Sequence, residues 1–171
     1  MAQVIDLLLF LIPIYIANSS PVVLGGGEPL DLGIILGDGK RLFGEGKTIR
    51  GFIGGVAAGT VAGGLLSIFY ILPFFLSGSN QFIGAFLLSF GALSGDALGS
   101  FIKRRSGIDS GKPFIIDTVL FLLIGLILVF PFVNQSLYEI PNLAFFIVLT
   151  MILHPLTNIL ANKAGLKNVP W

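Results

Sequence analysis

Residues 44–51 read Gly44-Glu45-Gly46-Lys47-Thr48-Ile49-Arg50-Gly51, and residues 52–76 continue as FIGGVAAGTVAGGLLSIFYILPFFL. The first part ends like a nucleotide-binding P-loop. That motif needs a glycine five residues before Gly46, a buried strand before it and a helix after it. Position 41 is Arg41, and the stretch before Gly44 is charged and turn-like. The strict motif therefore fails. What remains is a cluster of glycine, lysine, threonine and arginine at a helix start, a setting that favours phosphate. The second part decides the fold: 25 residues without a charge are long enough to cross a bilayer, which takes roughly 20.

The whole chain has the same character. Of its 171 residues, 54% are hydrophobic and 11% charged, and the mean hydropathy is +0.95. Soluble domains carry about a quarter charged residues, so this is an integral membrane protein. There is no cysteine, which excludes disulfides and thiolate metal sites. Five apolar runs, at residues 4–24, 52–76, 81–102, 113–133 and 141–161, predict an all-α protein of five transmembrane helices in a single membrane-embedded catalytic domain, residues 1–171. No positive region precedes the first run, so it reads as a retained helix rather than a signal peptide.

All ten lysines and arginines fall on one side of this arrangement. Lys40, Arg41, Lys47 and Arg50 lie in the loop 25–51, and Lys103, Arg104, Arg105 and Lys112 in the loop 103–112. Lys163 and Lys167 follow the fifth run. The positive-inside rule then predicts an outer N-terminus, a cytoplasmic C-terminus and two functional cytoplasmic loops in a multi-pass protein of the cell membrane. Gly51, Gly55, Gly59 and Gly63 share one face of the second helix and predict close helix packing.

Asp96, Asp117 and His154 lie inside predicted spans, where ionisable residues are costly and mark function. Counting from the flanking lysines, Asp96 is about 10 Å and His154 about 13 Å inward. His154, Asn158 and Asn162 make one polar face, which suits either a ligand or helix–helix hydrogen bonding. Pro155 is expected to kink that helix. Carboxylates among many cations are what a Mg²⁺–polyphosphate site needs, since Mg²⁺ takes one or two carboxylates plus phosphate oxygens. The alternative for Arg104 and Arg105 is topology and contact with anionic head groups.

Ser100-Phe101-Ile102-Lys103-Arg104, the charged run to Lys112 and then Asp117 resemble the signature region of CTP:phosphatidate cytidylyltransferases. The His-Gly-Gly stretch and the closing Asp-Arg-x-Asp of that family are absent, and the chain is much shorter. The chain as a whole is similar to the archaeal CDP-archaeol synthases. The resemblance runs through Asn18 and Pro21, Asp38-Gly39-Lys40-Arg41, residues 44–51, Gly95-Asp96, Ser100, Lys103-Arg104-Arg105, Asp117 and His154-Pro155-Leu156-Thr157-Asn158. It implies five transmembrane helices and a Mg²⁺-dependent nucleotidyl transfer. CTP and 2,3-di-O-geranylgeranylglyceryl phosphate would give the CDP-activated ether lipid and pyrophosphate.

On this reading Asp96 and Asp117 hold Mg²⁺, with Asp38 or Asp31 at a second metal position. Arg41, Lys47, Arg50, Lys103 and Arg104 clamp phosphates. Thr48 and Ser100 donate hydrogen bonds to phosphate or cytosine, and His154 and Asn158 orient the lipid phosphate or buttress the fourth helix. The expected partners are CTP, the isoprenoid ether-lipid phosphate and membrane lipids, with no nucleic acid. Rival readings are a CTP-dependent polyprenol kinase, which needs a base for its hydroxyl nucleophile, and a small transporter, which usually carries an internal repeat.

Overall fold

The computed structural model describes residues 3–108, 112 and 114–167, with the backbone alone at Ile115 and Asp117. The described residues form helices and loops, with isolated bridges in place of strands. The first apolar run is three helices in line: α1 (Val4–Phe10), α2 (Ile12–Ser19) and α3 (Pro21–Leu24). Pro13 and Pro21 explain the breaks, because each lacks the N–H that would continue the backbone ladder. Then follow α4 (Ile49–Phe69), α5 (Gly78–Arg105), α6 (Ile115–Val129) and α7 (Ile140–Lys163). Four segments are long and apolar enough to cross a membrane: Val4–Leu24, Ile49–Phe69, Gly78–Arg105 and Ile140–Lys163.

The predicted fourth span is shorter than expected. After Val129 the helix tightens into a 3-10 turn at Phe130–Phe132, where Pro131 sits. Its apolar helical stretch is Thr118–Phe132.

The predicted second helix also differs. It begins earlier, because Thr48 caps it: the Thr48 hydroxyl accepts from the Gly51 N–H at 3.1 Å. It ends at Phe69, and the chain then folds inward, burying Leu72, Phe74 and Phe75. The Gln81 side chain holds this turn. It accepts from the Leu72 N–H at 2.7 Å and donates to the Tyr70 carbonyl at 3.1 Å. Nearby, Tyr70 donates to Asp6 at 2.8 Å. Asp6 is thus a fourth ionisable residue within a predicted span, only 4% exposed, which hydropathy alone passes over.

The predicted third helix is longer at both ends. Ser77 caps its start, and Lys103, Arg104 and Arg105 form its last turn, where cations suit the helix dipole. These three residues are therefore helical rather than part of a second loop.

Around α5 the helices approach closely. A side chain added at Gly59 would meet the Pro13 carbonyl at 2.5 Å, and one at Gly91 would meet the Gly125 Cα at 2.5 Å. At Gly95 it would meet the Phe121 Cα at 2.6 Å. Phe10 centres the core at the end remote from the lysines, with Phe74, Phe75 and Phe146 at 5.6–5.9 Å between ring centroids. The helix α7 runs through Pro155 without ending.

Gly95→Ala is expected to cost about 1–3 kcal/mol of stability, because the methyl group meets backbone that cannot yield. Gly54→Ala meets only the flexible Leu24 side chain and should cost less. Unfolding of both variants in detergent micelles measures the difference.

Candidate active site

The glycine-rich segment between α3 and α4 is ordered around one carboxylate. Asp31 is 2% exposed. It accepts from the backbone N–H groups of Gly33 (3.1 Å), Phe43 (3.0 Å) and Gly44 (2.9 Å), and from the Arg41 guanidinium. Burial raises the Asp31 carboxyl, but the Arg41 bond and the three backbone donors outweigh it and hold it well below the usual carboxylate range. Four donors occupy its lone pairs. Asp31, expected as an alternative to Asp38 at a second metal position, organises the loop in this structure.

Asp38 sits at the tip of a turn through Gly39, whose φ of +75° suits glycine. It accepts from the Lys40 N–H at 3.1 Å and from Arg105 at 2.6 Å. Arg105 also donates to the carbonyls of Lys40 (3.2 Å) and Arg41 (2.7 Å) and lies over the Phe101 ring. Arg105 therefore fastens the loop to α5, a role its sequence context did not signal. Asp38, expected as a metal ligand, is engaged in this pair.

Lys47 and Asp96 form the centre. Lys47 Nζ donates to Asp96 Oδ2 at 2.5 Å, joining the loop to the middle of α5. Ser100, Lys103 and Arg104 follow Asp96 at helical spacing, so one stripe of α5 carries the carboxylate, a hydroxyl and two cations. Lys103 donates to the Lys112 carbonyl. Thr48 spends its oxygen on the helix cap, and its hydroxyl proton can still donate. Arg50 is exposed on the first turn of α4 and bonds to no other described residue. Asp117 opens α6; its side chain lies outside the described residues, as does Asp109.

Between the loop and the charged end of α5 is a cavity of about 350 Å³ lined by Lys40, Arg41, Gly44, Glu45, Arg104, Gly107 and Ile108. Its size falls within the ~300–1,000 Å³ of small-molecule sites. Arg104 crosses Gly44, where an added methyl group would stand 2.7 Å from the guanidinium. The Nε atoms of Arg41, Arg104 and Arg105 are buried and have no hydrogen-bond partner among the described residues. The cationic side chains of Lys40, Arg41 and Arg104 in the cavity lining would favour an anion.

On α7, His154 Nδ1 bonds to the Asn18 amide at 3.3 Å and its ring lies 5.1 Å from that of Phe121. One turn away, Tyr15 and Thr150 share a hydrogen bond of 2.9 Å. These contacts tie α7 to α2, the packing alternative left open by the polar face. Asn158 accepts from Lys167 at 2.8 Å.

Among the described residues no three of His, Asp and Glu gather as a ready-made metal cage. Magnesium does not need one: a carboxylate or two plus substrate phosphates is its usual set. Asp96 is half-buried beside the Lys47 ammonium, a setting where a carboxylate and substrate phosphates could share the ion, so the residues present fit it.

Apolar spans around a carboxylate–lysine pair and a guanidinium-lined cavity define a membrane-embedded transferase. The family model for CarS-like CDP-archaeol synthase matches residues 1–171. CDP-archaeol synthase of Pyrococcus furiosus is 42% identical over all of both chains. That of Pyrococcus abyssi is 44% identical over 95% of each. A solved intramembrane enzyme for archaeal membrane lipids biosynthesis superposes with a TM-score of 0.77 at 34% identity, over 92% of this chain and 95% of its own. The chain belongs to the CDP-archaeol synthase family.

Asp31→Ala should open the loop between α3 and α4 to limited proteolysis while leaving helix content unchanged. The wild-type loop should show a matching acid sensitivity. Its folded carboxyl titrates below the unfolded value of ~3.9, so the contribution is complete above that pH and is lost as pH falls below it. Proteolysis from pH 7 down to pH 3 measures both effects.

Proposed function

We propose that this enzyme transfers CMP from CTP to 2,3-di-O-geranylgeranylglyceryl phosphate, releasing pyrophosphate, with Mg²⁺ as cofactor. The observation that carries the reading is that one loop and α5 together supply both the Lys47–Asp96 pair and a cavity lined by Lys40, Arg41 and Arg104. The family membership and the names of its relatives support the product. We further propose five membrane crossings, an outer N-terminus and a site open to the cytoplasm, on the strength of the one-sided lysines and arginines.

The chemistry follows from charge. An oxygen of the lipid phosphate attacks the α-phosphorus of CTP, the α–β bridging P–O bond breaks, and pyrophosphate leaves with that electron pair. A phosphate monoester is already an anionic nucleophile, so no strong base is required. The barrier is the approach of two anions. Arg41, Arg104 and Lys40 neutralise the triphosphate in the cavity. Lys47 turns from Asp96 to the phosphates when CTP arrives, which frees the carboxylate. Mg²⁺ held by Asp96, with Asp117 as its second carboxylate, would draw charge from the reacting oxygens. Catalysis on this scheme is positioning and electrostatic stabilisation.

The test is purified protein in detergent with Mg²⁺, α-labelled CTP and the unsaturated ether-lipid phosphate. Label should enter the lipid as pyrophosphate appears. No labelled lipid from folded protein would overturn the reading, and label entering from γ-labelled CTP with a polyprenol would replace it with a kinase. Lys47→Ala should raise the KM for CTP roughly tenfold or more, the scale of a charged hydrogen bond. Asp117→Asn should abolish turnover in protein that still folds; wild-type turnover would remove Asp117 from the metal role.

A further inference from the structure

The loop between α3 and α4 carries apolar side chains that the described residues leave uncovered. Leu32 is 68% exposed, Ile34 50% and Ile35 63%. Single apolar residues on a surface are ordinary. Three bulky ones within four positions of a glycine-rich loop are a patch, and a patch marks a contact.

The backbone holds this group out under strain. Leu32 has φ +48°, and among the described residues it is the one non-glycine residue at positive φ. That conformation is unfavourable for a bulky side chain and persists only where the surroundings over-determine it. Three hydrogen bonds do so here. The Leu32 N–H bonds to the Pro29 carbonyl at 3.0 Å, the Gly33 N–H to the Asp31 carboxylate at 3.1 Å and the Ile34 N–H to the Asp31 carbonyl at 2.8 Å. The turn that buries Asp31 leaves its neighbour Leu32 exposed.

The same bonds fix where the group lies. Pro29 is bridged to Thr48, the cap of α4. On either side of that bridge the Leu30 N–H bonds to the Lys47 carbonyl at 2.7 Å and the Ile49 N–H to the Glu28 carbonyl at 3.0 Å. Leu32 is therefore one hydrogen bond from the level at which the α4 span begins, and Ile34 is folded back beside Asp31. The two spans that the loop joins end here in exposed apolar side chains of their own, Val23 and Leu24 on one and Ile53 on the other. In a membrane these face lipid. The head-group layer beyond the hydrocarbon is roughly 5–8 Å deep, so the loop's patch falls within it and continues the lipid-facing surface. A soluble partner would have to enter that layer to reach it.

We propose that Leu32, Ile34 and Ile35 insert into the bilayer interface and seat the loop on the lipid surface. Apolar side chains at this depth are what anchors interfacial segments. Ile35 is bridged to Arg41, which lines the cavity, so the seat also sets the depth of the cavity relative to the head groups. The contact is with lipid and does not depend on the reaction.

The chain has no cysteine, so a single introduced cysteine carries a nitroxide spin label without competition. Leu32→Cys and, separately, Ile35→Cys are labelled in the full chain and placed in phosphatidylcholine nanodiscs. Power saturation is then compared with oxygen, which concentrates in lipid, and with a water-soluble nickel chelate. Ile53→Cys, exposed on the α4 span, gives the lipid-side reference. Both loop labels should respond more to oxygen than to nickel, with a ratio between that of Ile53→Cys and that of free label in water. The Ile35→Cys label keeps the test valid where a change at Leu32 disturbs the strained turn. A response mainly to nickel in folded protein overturns the proposal. A label shielded from both reagents also overturns it, in favour of a contact between copies of this chain.

Discussion

Gly91 and Gly95 turn no side chain toward α6, and there two helices meet backbone to backbone. That contact fixes more than packing. Asp96 follows Gly95 directly, so the site's central carboxylate is held against the first turns of α6. The glycines of α4 and the small residues of α5 repeat the device on the other side, where Gly55, Gly59 and Gly63 admit α2 and α5. In a bilayer, packing of this kind replaces the hydrophobic drive that water supplies to soluble folds. A rigid α5 is the result, and the site is built on its charged end.

The loop over that end gains its order from charge instead. A 24-residue stretch without a helix would ordinarily be mobile. Here a buried Asp31 gathers three backbone donors and Arg41, and Arg105 fastens the far turn to α5. Lys47 then reaches Asp96 from a fixed base. Arg105 is spent on the loop, while Lys40, Arg41 and Arg104 line the cavity.

The arrangement suits a reaction between two anions. Cations on the loop and α5 line one cavity. The polar ties of His154 to Asn18 and of Tyr15 to Thr150 hold α7 against α2.

Composition and periodicity alone determined the membrane class, the apolar segments to within a few residues and the clustering of all lysines and arginines at one end. These are properties of segments: a run of apolar residues, or a glycine every fourth position, means the same wherever it is packed. The ends of α4 and α5 were less legible, since Gln81 and the caps at Thr48 and Ser77 act through hydrogen bonds that hydropathy does not weigh. The division of labour among the charges was not legible at all. Asp31 and Asp38 look alike in sequence, yet one is buried under four donors and the other is exposed beside Arg105. Lys163 ends the last helix and Lys167 follows it, and only the turn at Gly165 brings Lys167 back to Asn158. A charge acts through distance and burial, and for residues far apart in the chain those are decided by tertiary structure.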